Sequence, residues 1–273
     1  MWPLSPSDGY ECPQNRGDDM RDILEALNDG EMSVREAEAA LTGYLTEDAG
    51  RFDAARQERR GLPEAILAEG KTTEEVVTLA EMAVETTGHA IVTRCEANQL
   101  ESVTNSLARS LPQATIRPYD RSGMLTVHAS TYERPRIAAA VGVVSAGTSD
   151  ATVAEEAAIT VKELGAAVTR IEDVGVANLT RITDQLEELR NQDVIIVVAG
   201  REGALPTVVA GLVDSPVIGV PVSTGYGAGG DGHAALHGML QSCTVLSVVN
   251  IDAGYIAGAQ AGLIAQAIAR TNE

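Results

Sequence analysis

Two patterns of apolar residues divide the chain near Arg136. Upstream of it, short amphipathic stretches alternate with charged ones. Ile23, Leu24 and Leu27 have the spacing of a short helix, and Ser33-Val34-Arg35-Glu36 has the form of a capping box opening a second helix through Leu41. Charged residues crowd positions 48–60, with Arg51, Arg56, Arg59 and Arg60 close together, before a loop at Gly61-Leu62-Pro63-Glu64. Thr72-Thr73-Glu74-Glu75 forms a second capping box, and the helix after it puts Val76, Leu79, Ala80 and Ala83 on one face. His89–Arg94 reads as a strand, Leu100–Leu111 as a helix, and 114–117 and 124–128 as two further strands. The pattern predicts a small α+β domain over residues 20–130. Residues 1–19 have no periodicity and are expected to form a disordered tail. Residues 131–135 are expected to be a linker.

Downstream, the apolar runs become short, β-branched and nearly uninterrupted: Ile137–Val144, Ala166–Ile171, Val194–Ala199, Val217–Val220 and Val245–Val249. Helical stretches separate them at Ala151–Leu164, Leu179–Arg190, Leu205–Val213, Ala234–Leu240 and Ala259–Ala269. Strands buried on both faces and alternating with helices make a doubly wound parallel sheet, so residues 136–273 are expected to form an α/β domain. Ligands of such sheets bind where loops leave the C-terminal ends of the strands.

Composition sharpens this picture. With one Phe, one Trp and six Tyr, the core must be built from Ala, Val, Leu and Ile. The net charge of −19 argues against a nucleic-acid partner, which needs clustered cations. Lysine occurs only at Lys71 and Lys162, and an acidic, lysine-poor chain fits a source with high internal salt. An ordinary acidic protein is the alternative. Cys12, Cys95 and Cys243 form no zinc or disulfide pattern. A polar N-terminus and the lack of an apolar run of membrane-spanning length lead us to expect a cytoplasmic protein.

Three loops carry the candidate chemistry. Ser145-Ala146-Gly147-Thr148-Ser149-Asp150 joins the first strand of the second domain to a helix. Small residues there let backbone N–H groups approach a phosphate, and Asp150 is suited to cap the helix or to bind a ribose hydroxyl. A capped turn with no ligand has the same composition. Glu202 lies between Gly200 and Gly203 after the third strand, either as a site carboxylate or as a solvated charge. The glycines from Gly225 to Gly232 make either a ligand-covering lobe or a flexible loop. His233 and His237 have the i, i+4 spacing of metal ligands but no third partner in reach, so exposed or satisfied histidines are the better reading. Cys243 sits among these loops, where a free cysteine is either a reactive thiol or a small core residue.

Residues 136–270 resemble the phosphoribosylaminoimidazole (AIR) carboxylase superfamily, and within it most closely the LarB proteins of nickel-pincer cofactor biosynthesis. The resemblance rests on residues 145–150, on Glu172-Asp173-Val174-Gly175-Val176 and on Val198-Ala-Gly-Arg-Glu-Gly-Ala-Leu-Pro206. It extends to Gly225-Tyr226-Gly227-Ala228, Met239-Leu-Gln-Ser-Cys243 and Val249-Asn-Ile-Asp252. Upstream, Arg59-Arg60-Gly-Leu-Pro-Glu64 and Glu69-Gly-Lys-Thr72 are also similar to LarB. AIR carboxylases carry a catalytic His just before the Leu-Pro pair, and Ala204 stands there instead. Gln241, Val245-Leu246 and Ala253-Gly254-Tyr255 depart from the LarB pattern.

The resemblance implies carboxylation of the pyridinium ring of nicotinic acid adenine dinucleotide at C5, with CO2 as co-substrate, and hydrolysis of its phosphoanhydride. The products are AMP and pyridinium-3,5-biscarboxylic acid mononucleotide. Cys243 is then the nucleophile and Glu202 the base. Ser145, Gly147, Thr148, Ser149 and Asp150 hold phosphate and ribose, and Asp173, Gly203, Gly225, Tyr226 and Gly227 complete the pocket. Mg²⁺ is expected to assist hydrolysis, although no pattern identifies its ligands. A homo-oligomer, octameric by resemblance, is expected, with sites near subunit contacts. The alternatives are an AIR carboxylase or mutase of purine synthesis, and a nucleotide-binding regulator without turnover.

Overall fold

Apolar alternation in the first half of the chain builds a four-stranded sheet with two different faces. The computed structural model describes residues 16–47, 50–225, 227 and 229–271. The helices α1 (Arg16–Asn28) and α2 (Val34–Thr42) pack together ahead of a β1 (Leu45–Glu47)–β2 (Gly50–Phe52) hairpin and α3 (Arg56–Arg60). Next come β3 (Ala65–Leu67), α4 (Thr73–Thr87), β4 (His89–Thr93), α5 (Ala97–Ser110), β5 (Thr115–Tyr119) and β6 (Met124–His128). The sheet order is β3-β4-β6-β5, with β3 parallel to β4 and the other pairs antiparallel. Both expected capping boxes form: Ser33 with Glu36, and Thr72 with Glu75. Helix α1 reaches back to Arg16, into the stretch read as tail, and residues 1–15 lie outside the described residues.

Ala90, Val92, Leu125 and Val127 point to α4 and α5, where Val76, Leu79, Ala80, Val103 and Leu107 meet them. Ile91 and Met124, one position out of phase, face the other way and meet Ile159 of the second domain. This is the period of two that a strand imposes. Helices of its own domain thus cover one side, and the second domain covers the middle of the other, with Leu67 and Arg117 exposed towards its edges.

The second domain runs β7 (Ala140–Ser145), a 3-10 turn (Thr148–Asp150), α6 (Ala151–Glu163), β8 (Ala167–Ile171), α7 (Leu179–Thr183) and α8 (Leu186–Arg190). It continues through β9 (Val194–Ala199), α9 (Ala204–Ala210), β10 (Val217–Pro221), α10 (His233–Leu240), β11 (Ser247–Val248) and α11 (Gly254–Thr271). All neighbouring strands are parallel, in the order β8-β7-β9-β10-β11. This is the 2-1-3-4-5 order of a doubly wound sheet, so the α/β expectation holds. The order reverses between β7 and β9, the place where such folds bind ligands. Helices α6 and α11 cover one face, and α9 and α10 pack on the other.

Several elements of the second domain differ from the sequence reading. Leu179–Arg190 is two short helices, with a break at Asp184-Gln185. Strand β11 keeps only Ser247 and Val248, because only these pair with β10, and Val245 is 96% exposed at the edge. Helix α11 begins at Gly254 rather than near Ala259. Its glycines allow close packing on α6: a Cβ on Gly258 would lie 2.6 Å from the Ala157 carbonyl, and one on Gly262 2.2 Å from Leu164. The low helix propensity of glycine concealed these turns. Among the described residues no helix is long and apolar enough to cross a membrane.

Candidate active site

A cleft of about 630 Å³ opens at the β7/β9 reversal. Its walls come from the loops after β7, β8, β9 and β10, including Gly147 and Ser149, Val176, Glu202 and Thr224. A larger groove of about 930 Å³ lies at the linker, where β7 and β8 begin, and none of these loops reaches it.

Asp150 organises the cleft. Its carboxylate accepts the Gly147 N–H at 2.8 Å, reaches toward Thr224 Oγ1 at 3.5 Å, and receives the Gly200 N–H. The residue is 4% exposed, and burial raises its pKa above the ordinary aspartate value while those hydrogen bonds oppose the rise. It caps its own loop rather than helix α6 through its side chain. One carboxylate thus ties the loops of three strands together. Gly200 is fitted to this junction: a Cβ there would lie 3.0 Å from the Thr224 carbonyl and 3.3 Å from Asp150 Oδ1.

Gly203, with φ +66°, turns the chain into α9, and a Cβ on it would stand 2.6 Å from the Ala235 carbonyl of α10. Glu202, just before it, is exposed and lines the cleft. Ser145 is fully buried at the end of β7, and its hydroxyl has no hydrogen-bond partner among the described residues. Thr148 is exposed in the 3-10 turn, and Gly225 adjoins Thr224 at the rim. Gly227 is exposed with φ +85°, whereas Tyr226 lies outside the described residues.

Of the expected members, Gly147, Ser149, Asp150 and Glu202 line the cleft, whereas Ser145, Thr148, Gly203, Gly225 and Gly227 only adjoin its loops and Asp173 and Cys243 are turned to other partners or positions. Asp173, with φ 58°, is exposed, and both its carbonyl and its carboxylate accept from Arg181 Nη1 at 3.1 Å. From the same loop Gly175 and Val176 line the cleft instead. A Cβ on Gly175 would press to 2.8 Å from the Ala146 carbonyl, a requirement for glycine legible in the Val-Gly-Val motif. Cys243 is exposed and is absent from the lining. It lies between α10 and β11, next to Thr244, whose hydroxyl reaches the Thr207 carbonyl of α9 at 3.5 Å. Within one chain, therefore, the thiol and Glu202 do not share a cavity. Cys95 is buried, which pushes its thiol up to about 11.

The described residues contain no group of three or more His, Cys, Asp or Glu able to hold a metal ion. Mg²⁺ held by substrate phosphates and one or two carboxylates would need no such group. His233 and His237 are exposed, with ring centroids 6.4 Å apart. The arginine cluster is largely committed: Arg56 to Glu64 at 2.6 Å, Arg59 to Asp53 at 2.5 Å, and Arg51 over the Tyr44 ring.

The chain is similar to known proteins over both of its domains. The AIR carboxylase family matches residues 140–273, and the LarB/PurE-like N-terminal domain matches residues 45–126. An uncharacterized protein of Methanocaldococcus jannaschii is 39% identical over 257 residues, covering 92% of this chain and 98% of that one. The crystal structure of a Treponema denticola PurE2 variant aligns at 22% identity and a TM-score of 0.37, over 51% of this chain and 92% of its own. The chain belongs to the AIR carboxylase family and joins its AIR carboxylase domain to a LarB/PurE-like N-terminal domain, the pairing that is the signature of LarB.

Proposed function

We propose that this chain carboxylates the pyridinium ring of nicotinic acid adenine dinucleotide at C5 and hydrolyses its phosphoanhydride, releasing AMP and pyridinium-3,5-biscarboxylic acid mononucleotide. The observation that supports the reading is a cleft lined by Glu202, with the methyl of Ala204 where AIR carboxylases have an imidazole. AIR chemistry lacks its proton carrier here.

A pyridinium ring is too electron-poor to attack CO2. Addition of the Cys243 thiolate at C4 converts it to an enamine with a nucleophilic C5. C5 bonds to CO2, the Glu202 carboxylate takes the C5 proton, and the C4–S electron pair returns to sulfur as aromaticity is restored. The loop held by Asp150 presents backbone N–H groups to phosphate and ribose.

Because Cys243 lies outside its own chain's cleft, the working unit is a homo-oligomer in which the exposed thiol serves a neighbouring copy's cleft. The exposed apolar side chains Leu240 and Val245, at 62% and 96%, flank Cys243 and suit a covered surface. Such an enzyme works on small molecules in the cytoplasm.

Supplying bicarbonate with either the pyridinium dinucleotide or AIR, and separating the products, tests the reading. Carboxylation of the dinucleotide supports it. Carboxylated AIR as the sole product overturns it in favour of purine chemistry, and dinucleotide binding with no product favours a regulator.

A further inference from the structure

The N-terminal domain has a cavity of its own, about 660 Å³, which the chemistry above does not use. It lies between the Glu69-Gly70-Lys71 turn and the start of α5. The turn is built rather than loose: Lys71 N–H donates to the Ala68 carbonyl at 3.0 Å, and Gln99 Nε2 donates to the Lys71 carbonyl at 2.8 Å. Two cations line the cavity, Lys71 and Arg94, in a chain with 39 acidic and 20 basic residues. Lys71 has no ion-pair partner among the described residues, and Arg94 stands 3.8 Å from Glu69.

The helices α4 and α5, of 15 and 14 residues, both start at this cavity. The Thr72–Glu75 box caps α4, but the N-cap residue of α5, Glu96, makes no side-chain cap. Glu96 thus gives the first N–H groups of α5 no side-chain acceptor, and these groups lie beside Lys71 and Arg94 in a cavity that the Glu69 and Glu96 carboxylates also line. The Cys95 side chain, nine-tenths buried, lines the same cavity with no hydrogen-bond partner among the described residues.

The cavity is also wired to the cleft. Arg94 Nη2 donates to the Asp252 carbonyl at 2.8 Å, and the Asp252 carboxylate accepts the Ser223 N–H at 2.9 Å. Thr224, the next residue, reaches Asp150. One residue of the N-terminal domain therefore sits between the two cavities and touches the support of both.

We propose that the Lys71–Arg94 cavity binds the phosphate of a nucleoside monophosphate, the adenylate half of the extended substrate, while the pyridinium half occupies the cleft. The adenylate identity rests on the function proposed above; the phosphate chemistry rests on the cavity. A volume of this size is ordinary for a small-molecule site. Lys71 and the α5 N–H groups meet the phosphate, and Arg94 reports occupancy to the Ser223–Thr224 segment.

Calorimetric titration of the full chain with AMP, adenosine and inorganic phosphate tests the site. AMP is expected to bind at least tenfold more tightly than either fragment. Lys71→Ala is expected to weaken AMP at least tenfold, Lys71→Arg to recover most of that loss, and Glu202→Gln to leave it unchanged. Equal AMP affinity in wild type and Lys71→Ala, or no AMP binding at all, overturns the proposal. If the dinucleotide is not carboxylated but AMP binding depends on Lys71, the reaction assignment fails and this site stands. If it is carboxylated and AMP binding ignores Lys71, this site alone fails.

Discussion

Glu156 and Glu163 stand two turns apart on α6, both buried against the N-terminal domain, and their carboxyls shift in opposite directions. Burial raises Glu156, which accepts from Thr93 Oγ1 at 2.5 Å and has no directly bonded cation among the described residues. Burial pushes Glu163 upward too, but His128 Nε2 and Arg134 Nη2, each at 2.8 Å, outweigh it and hold the carboxyl below the ordinary range. Domain docking therefore depends on one glutamate tolerant of protonation and on another that must stay charged.

The pH dependence follows from the sign of each shift. Glu163, depressed in the folded chain, contributes stability that is present above its ordinary value of 4.5 and lost as the pH falls through its lower folded value. Glu163→Gln is expected to cost about 3 kcal/mol at pH 7, because it strands the buried ends of Arg134 and His128. It should also flatten the acid limb of a urea-midpoint-against-pH curve. Glu156 behaves oppositely: its contribution is complete below 4.5 and is lost as the pH rises through its raised value. Glu156→Gln is expected to cost under about 1 kcal/mol at pH 7 in the same measurement.

Removing the Asp150 carboxylate leaves the Gly147 and Gly200 N–H groups without an acceptor in a buried setting. Asp150→Ala is expected to destabilise the fold by about 1–3 kcal/mol and to abolish ligand-induced stabilisation. Thermal melts with and without dinucleotide check both effects.

Backbone contact at Gly203 leaves no room for a methyl, and its φ disfavours any side chain. Gly203→Ala is expected to cost about 1–3 kcal/mol and to displace α10 from α9. On α11, Gly258→Val should cost at least as much by forcing that helix off Ala157 and Thr160. Denaturation midpoints rank the two variants.

A net charge of −19 opposes compaction when it is unscreened. The melting temperature is expected to climb steadily from about 0.05 M to 1 M salt and beyond, and not to plateau near 0.15 M. A flat response would reject the reading of adaptation to high salt.

The sheet of the second domain was legible because fully buried runs such as Val194–Ala199 have no other soluble explanation. Ordering the runs along the chain marked the loops at 145–150 and 200–203 as strand C-terminal ends, but the reversal between β7 and β9 shows only in the order of the strands within the sheet. Strand β3 was missed because three residues, Ala65-Ile66-Leu67, are too few for alternation to show. The place of Cys243 was hidden for a different reason. Chain order put it near the glycine loops, but α10 lies between them and carries the chain out of the cleft. The phosphate-binding features at Lys71 and Arg94 come from segments far apart in sequence, joined by the β3-β4 pairing and by Gln99.

In the proposed function Glu202 has one task in this cleft, the deprotonation that completes carboxylation of a pyridinium ring. Mass spectrometry of products from the dinucleotide and ¹³C-bicarbonate, with wild type beside Glu202→Gln and Cys243→Ser, tests it most directly. Labelled biscarboxylic mononucleotide is expected from wild type, none from Cys243→Ser, and a protein-bound ring adduct accumulating on Glu202→Gln. Labelled product formed at the wild-type rate by either variant would contradict it.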